Sequence, residues 1–160
     1  MALHGDQHPR GAGLRVAADS RYGARAVAVR PFASGQVLAP LAQGVSVRQP
    51  SRMSLQVDVD RHLEGPGIGD VRYVNHSCAP TAVVDTSVLA LRAVRDLAVG
   101  DEVTLFYPAT EWEMAEPFTC LCEEDVCLGR ICGARALSGS RLSGHRLSPH
   151  IRQLISEYRS

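Results

Sequence analysis

Two stretches decide the reading of this 160-residue chain: Arg72-Tyr73-Val74-Asn75-His76-Ser77-Cys78-Ala79-Pro80 and Gly100-Asp101-Glu102-Val103-Thr104-Leu105-Phe106-Tyr107. The first places Asn75, His76, Ser77 and Cys78 together at the exit of a short strand. A His–Cys pair raises the idea of a Cys nucleophile activated by His76, but two residues apart on a strand does not assure the geometry. Metal ligation by Cys78 would exclude that role outright. The second stretch is a strand that ends on Tyr107, an aromatic whose simplest place is the core or its rim.

Around these stretches, short apolar runs alternate with turn signals from Leu14 to Tyr107, the pattern of many short strands. The clearest is Leu55-Gln56-Val57-Asp58-Val59-Asp60, whose alternation puts Leu55, Val57 and Val59 on one face. Further strands are expected at 24–29, 37–39, 45–47, 81–84, 88–93 and 102–107. Residues 64–70, with three Gly and a Pro, read as a loop. Arg30-Pro31-Phe32-Ala33-Ser34-Gly35 and Arg95-Asp96-Leu97-Ala98-Val99-Gly100 share Arg, an apolar residue, Ala and Gly at the same offsets, so each is expected to make the same strand–turn–strand connection. Two copies are a turn used twice; a repeat architecture needs about three.

Residues 1–13 read as a flexible tail without the apolar stretch of a signal peptide. After Tyr107, 110–116 is expected as a short helix, 120–132 as a Cys-rich loop and 134–147 as a Ser/Gly/Arg linker. Ser148 is an N-cap with Pro149 at the first helical position, and Ile151, Leu154, Ile155 and Tyr158 form one apolar face. The chain divides accordingly into a tail (1–13), a β-rich domain (14–110), a Cys-rich segment (111–133) and a linker with a terminal helix (134–160). At 45% hydrophobic and 21% charged residues the composition is globular. Its 17 basic residues, all Arg, balance 17 acidic ones, so no general attraction to nucleic acid or membrane follows. No apolar run reaches the ~18 residues of a membrane span. An intracellular setting is expected, cytoplasmic, or nuclear in a eukaryote.

Cys120, Cys122 and Cys127 put three thiols within eight residues. Zinc takes four such ligands with sulfur at about 2.3 Å, and a site closed by four protein ligands is structural. Spacing leaves the fourth open between nearby Cys132 and distant Cys78. Reduced thiols fit an intracellular chain.

Taken together, these stretches resemble a SET-domain protein methyltransferase with a post-SET zinc segment. Residues 72–80 look like the family's Arg-aromatic-aliphatic-Asn-His-Ser-Cys-x-Pro motif, 100–107 is similar to its Gly-Glu-Glu-Leu-Thr-aromatic-Asp-Tyr motif, and Phe118-Thr119-Cys120-Leu121-Cys122 with Cys127-Leu128-Gly129 matches the post-SET segment. The resemblance implies a mainly β (α+β) fold, a β-clip of several small sheets with a knot-like core, followed by the zinc segment and a short C-terminal helix. It also selects Cys78 as the fourth ligand, beside Cys120, Cys122 and Cys127, leaving Cys132 as a spare, buried thiol. The implied cofactor is S-adenosylmethionine, held by Asn75, His76 and Tyr73, by Gly23, Ala24 and Arg25, and by Tyr107, with Trp112, Phe118 or Leu121 over the adenine. The implied catalytic residue is Tyr107, which would orient a lysine amine of a protein substrate.

Several positions depart from the family pattern. Arg25 replaces the second Gly of Gly-x-Gly, Phe106 the usual Asp, and Thr81 an Asn. Leu105 stands where an aromatic often limits the number of methyls. The segment between Val47 and Arg72 is short for one wall of a peptide groove. A short wall leaves an open cleft, to be completed by a second subunit of a homodimer or suited to a smaller substrate. Two alternatives to a protein substrate follow: a small-molecule amine or metabolite, or a zinc-stapled binding module without turnover. Neither includes direct nucleic-acid or membrane binding.

Overall fold

With so few aromatics, the interior is built from aliphatic side chains, and Leu14, Val27, Leu38, Leu41, Leu63, Leu91 and Val103 are fully buried. The computed structural model describes residues 13–160. In chain order the strands are β1 (Leu14–Asp19), β2 (Gly23–Ala28), β3 (Val37–Pro40), β4 (Val45–Val47), β5 (Leu55–Asp58), β6 (Arg61–Glu64), β7 (Asn75–His76), β8 (Ala82–Asp85), β9 (Ala90–Ala93), β10 (Thr104–Leu105), β11 (Phe118–Thr119) and β12 (Arg130–Ile131). Two helices follow, α1 (Gly139–Leu142) and α2 (Pro149–Tyr158), and 3-10 turns cover Pro66–Tyr73, Tyr107–Ala109 and Ala134–Ala136. The strands form five small sheets: β1-β2, β3-β9-β8, β4-β6-β5, β7-β10 and β11-β12. This is the expected mainly β fold of several small sheets.

Among the described residues only β7 and β10 pair in parallel, with Asn75 opposite Thr104 and His76 opposite Leu105. No hairpin can join parallel strands, so the intervening chain must travel out through β8 and β9 and return. Thr81 fastens that return: its amide donates to Thr104 Oγ1 at 3.1 Å, and its own hydroxyl accepts the Thr104 amide at 2.9 Å.

The two similar turns do more than share a shape. Phe32 and Leu97 exchange backbone hydrogen bonds of 3.0 and 2.8 Å. Gly35 N–H donates to Ala93 and Gly100 N–H to Ala28, while Ala93 and Ala28 donate back to Gln36 and Asp101. Every bond has its reciprocal, so the two copies meet about a local two-fold. Gly35 and Gly100 both have φ near +87° (87° and 86°), a conformation that favours glycine.

Some expectations change. Residues 66–73 coil into 3-10 turns, because Gly69 at φ 56° lets the turn kink and continue. The alternation in β5 breaks at Gln56, which is buried at 3% exposure. Its amide donates to the carbonyls of Asp58 and Val59 and its oxygen accepts the Trp112 amide, so burial leaves no polar atom wanting. Residues 110–116 are not helical, since Glu111 turns inward to β5. Residues 134–147 are packed: Ala134 and Leu142 are buried with Phe106, Ala109 and Ile151 in a second apolar cluster. Helix α2 forms as expected and buries Ile151, although the Ser148 side chain makes no cap bond. Of the expected tail, 1–12 lie outside the described residues, and Gly13 is tied down by its amide to Leu38 O at 2.8 Å.

Phe32 is 2% exposed and sits on the local two-fold. Phe32→Ala should therefore cost roughly 3–5 kcal/mol, seen as a lowered midpoint in chemical denaturation. A loss below 1 kcal/mol would show that the paired turns do not support the core.

Candidate active site and thiolate cluster

The parallel pair brings the two decisive stretches into contact. Tyr107, two residues beyond the end of β10, donates its backbone N–H to His76 Nδ1 at 3.1 Å. An amide can only donate, so Nδ1 is an acceptor and the proton of the neutral ring sits on Nε2. That nitrogen lies 3.3 Å from Cys78 Sγ. Burial pushes the His76 pKa down to about 4, which keeps the ring neutral near pH 7. The His76 ring also meets Tyr107, Phe118 and Phe106 at centroid distances of 5.4, 5.9 and 5.6 Å.

The Tyr107 hydroxyl donates to the Val74 carbonyl at 2.7 Å. Burial drives its pKa up, with the nearby Glu111 charge adding to the effect. The phenol therefore stays neutral, and with its proton committed to Val74 its oxygen is left as an acceptor.

A cleft of about 710 Å³ opens on one side of Tyr107. Its walls include Tyr22, Gly23 and Ala24 of the β1–β2 turn, Tyr73, Asn75 and His76, and Phe118 and Leu121. The turn is held rigidly. Asp19 accepts the amides of Arg21 and Tyr22 at 2.7 and 2.9 Å, and Arg21 bridges Asp19 to Glu102 at 2.8 and 2.7 Å. The Arg21 guanidinium lowers the Asp19 pKa to about 2. Asn75 Nδ2 donates to Ala24 O at 2.8 Å, joining the turn to β7. Among the described residues Asn75 Oδ1 accepts no hydrogen bond, and Asn75 lines the cleft. The Tyr22 hydroxyl accepts the Leu121 amide at 2.8 Å, and its ring meets Phe118 edge-on at 6.3 Å. A second, small cavity of about 50 Å³ lies beside the cleft and shares Tyr107 with it. Its apolar walls include Leu55, Ile68, Val74 and Leu105, and Glu111 also lines it.

The structure thus gathers Gly23, Ala24, Tyr73, Asn75, His76, Tyr107, Phe118 and Leu121 around one cleft. It does not bring Arg25 or Trp112 to that wall. Arg25 is a strand residue opposite Ala17, and it is absent from the positive-φ positions, so only Gly23 (φ 88°) needs glycine there. Trp112 packs with the second apolar cluster and meets Tyr158 edge-on at 5.7 Å, because its amide is drawn to Gln56. Sequence reasoning missed Gln56 and Glu111, both hidden in segments that read as an alternating strand and an exposed helix.

Behind His76, the sulfur atoms of Cys78, Cys120, Cys122 and Cys127 all lie within 4.8 Å of one another. A zinc tetrahedron with sulfur at about 2.3 Å needs edges of roughly 3.8 Å, so the four thiols fit the ion with small adjustment. Burial raises the Cys78 pKa to about 11, a cost that a bound cation removes. The amide of Leu128 points at Cys78 Sγ at 3.4 Å and Nε2–H of His76 at the same sulfur, the donors expected around a thiolate ligand. Cys132 is outside the cluster and half-buried rather than buried.

Comparison with known proteins bears on the family and the fold. The family model described as "SET domain" matches residues 11–108. The chain belongs to the SET-domain family. Among curated relatives, this SET protein is 39% identical over 99 residues to the methyltransferase flvH of Aspergillus flavus, covering 58% of this chain and 56% of the relative. It is 28% identical over 121 residues to the histone-lysine N-methyltransferase Suv4-20 of Caenorhabditis briggsae, covering 68% of this chain and 37% of that one. The chain therefore spans about half or less of the curated relatives it matches. Two crystal structures of KRYPTONITE share the SET fold over 73% of this chain. One, with mCHH DNA, H3(1-15) peptide and SAH, gives a TM-score of 0.57 at 18% identity and 29% of its own chain. The other, with mCHG DNA and SAH, gives 0.60 at 19% identity and 28% of its chain. Among the described residues of the SET protein, no helix is long and apolar enough to cross a membrane.

Cys122→Ser should sharply reduce bound zinc, measured by plasma emission spectrometry, and lower the thermal midpoint. Cys132→Ser should leave both as in the parent. Unchanged zinc in Cys122→Ser would overturn the ligand set.

Proposed function

We propose that this SET protein is an S-adenosylmethionine-dependent N-methyltransferase acting on a lysine side-chain amine of a protein. The observation that carries the reading is that Tyr107 lines both the broad cleft and the adjoining small cavity, which also share Arg52, Arg72 and Met114. S-adenosylmethionine supplies a methyl group made electrophilic by a sulfonium charge. Ala24, Asn75 and the backbone at His76 would hold its amino-acid portion, with Asn75 Oδ1 as the free acceptor, and Phe118 and Leu121 would cover the adenine. The two KRYPTONITE complexes include SAH, which supports the cleft assignment.

On the other side, the Tyr107 oxygen is a fixed acceptor for an incoming amine. A lysine ammonium, with a pKa near 10.4, must shed a proton before its nitrogen can attack. Apolar surroundings and a neighbouring cation both favour the neutral amine. The main contribution of the protein is alignment, which is worth many orders of magnitude in effective concentration. Zinc at the four thiolates would hold β11 and the Phe118–Leu121 wall against β7, with no open position for chemistry. Five free cysteines and a reduced cluster fit an intracellular setting.

A second reading, a small amino-carboxylate in place of a protein, is favoured by one observation. Arg52 and Arg72 line the small cavity together with Tyr107, so an amine and an anion would find opposite partners there. Methyl-labelled S-adenosylmethionine added to zinc-loaded protein with lysate and metabolite extract separates the two: label on macromolecules supports the first reading, and label only on small molecules the second. Tyr107→Phe should lower the rate roughly 10²-fold, the scale of misaligned reactants, while the fold loses only about 1 kcal/mol for one hydrogen bond. Labelling equal in parent and variant would overturn the role of Tyr107, and no transfer to any amine would overturn the enzyme reading.

A further inference from the structure

Glu111 is a carboxylate buried to 6% exposure in a chain with no lysine to pair with it. Its position is fixed from two directions. Its backbone N–H donates to the Tyr107 carbonyl at 2.8 Å, and its Oε1 accepts the Gln56 amide of β5 at 2.8 Å and the Thr110 hydroxyl at 3.4 Å. Oε2 has no hydrogen-bond partner among the described residues, and the side chain lines the small cavity that Tyr107 shares with the cleft. That oxygen keeps solvent-accessible surface, so it is open to an incoming hydrogen-bond donor. The structural duty of the residue, accepting the Gln56 amide, needs one oxygen only, and a glutamine would serve it equally.

We propose that Glu111 is the anionic seat of the substrate's ammonium group and the acceptor of its proton, an assignment that rests on the amine N-methyltransferase reading above. In the step, an N–H bond of the ammonium breaks, its electron pair stays on nitrogen, and the proton passes to Glu111 Oε2. The amine, held by the Tyr107 oxygen, then has a free pair for the methyl. The product is again an ammonium ion, so the proton on Glu111 is the one released to solvent each cycle. This selects a cationic amine over a neutral alcohol or thiol as substrate class.

The groups facing Glu111 are Tyr107 on its own segment, Arg52 and Arg72 across the cavity, and His150 of α2, whose Nε2 meets the Thr110 carbonyl at 2.7 Å. His62 of β6 lies near His150, and burial lowers the pKa of both imidazoles, so they are neutral near pH 7. Burial raises the Glu111 pKa to about 7, against the pull of the Gln56 amide and Thr110 hydroxyl. The carboxylate form therefore grows in as pH rises through about 7, and so should kcat/KM for an amine substrate.

The test uses the full zinc-loaded chain and Glu111→Gln, which keeps an acceptor for Gln56. With glutamate carboxyls labelled by ¹³C, the signal missing from Glu111→Gln is followed against pH. Addition of n-butylammonium should move its midpoint to lower pH, because the cation stabilises the anion, and n-butanol should not. In methyl transfer, Glu111→Gln should lose roughly 10²-fold in kcat/KM at pH 7. Its rising limb should shift from near 7 toward the ionisation of the free amine near 10.4. A midpoint indifferent to n-butylammonium, or a variant with the parent's rate and pH profile, would overturn the assignment while leaving the methyltransferase reading intact. If the parent transfers methyl to no amine, that reading fails, and the carboxyl signal alone decides whether Glu111 seats an ammonium.

Discussion

The parallel pairing of Asn75–His76 with Thr104–Leu105 organises the site. Two residues on each strand suffice to set Tyr107 against His76 and, through His76, against Cys78. Everything chemical in the molecule radiates from that contact. On one side are the cleft and its free Asn75 oxygen, on another the small cavity with Glu111, and behind the imidazole the four thiols. A parallel pair this short contributes little by itself. It is held because Thr81 clasps β10 and because the reciprocal turns at Phe32 and Leu97 tie together the chain segments that lead into it.

The departures from the family pattern acquire physical reasons. Phe106 is 2% exposed and stacks flat on His145 at 3.6 Å, so the apolar residue fastens the C-terminal segment to the core. Thr81 supplies with one hydroxyl the bonds that close the β7–β10 crossing, also donating to the Glu102 carbonyl at 3.0 Å. Arg25 occupies an ordinary strand position and points no cation into the cleft wall. Leu105 is buried and lines the small cavity, where an aliphatic side chain leaves room beside Tyr107.

What could be read from the sequence was what is written locally or in a distinctive motif. Strand candidates such as Val45–Val47 stand out by their β-branched residues and flanking turns, and the matched turns announced a shared connection through Arg, Ala and Gly. That these turns pair with each other was not legible, because the reciprocal bonds are backbone bonds. Cys120, Cys122 and Cys127 declared a metal site by spacing, whereas the choice of Cys78 over Cys132 depends on a crossing that no local spacing encodes. Glu111 and Gln56 escaped notice for a common reason: each satisfies the other's backbone or side chain across 55 positions, and a polar residue whose partner is distant looks exposed. The resemblance offers Trp112 for the adenine, but its amide is drawn to Gln56 and its ring to the second apolar cluster, a placement set by a partner 56 positions away.

If the cleft and the four-cysteine cluster form one unit joined through His76, binding in the cleft depends on the metal. Calorimetric titration with S-adenosylhomocysteine, before and after zinc is stripped by a chelator, measures that dependence. Binding should be present in the zinc-loaded protein and lost or weakened at least tenfold in the stripped protein, then restored when zinc is returned. Equal affinity in both states would contradict that unity, because the wall carrying Phe118 and Leu121 would then stand without the metal.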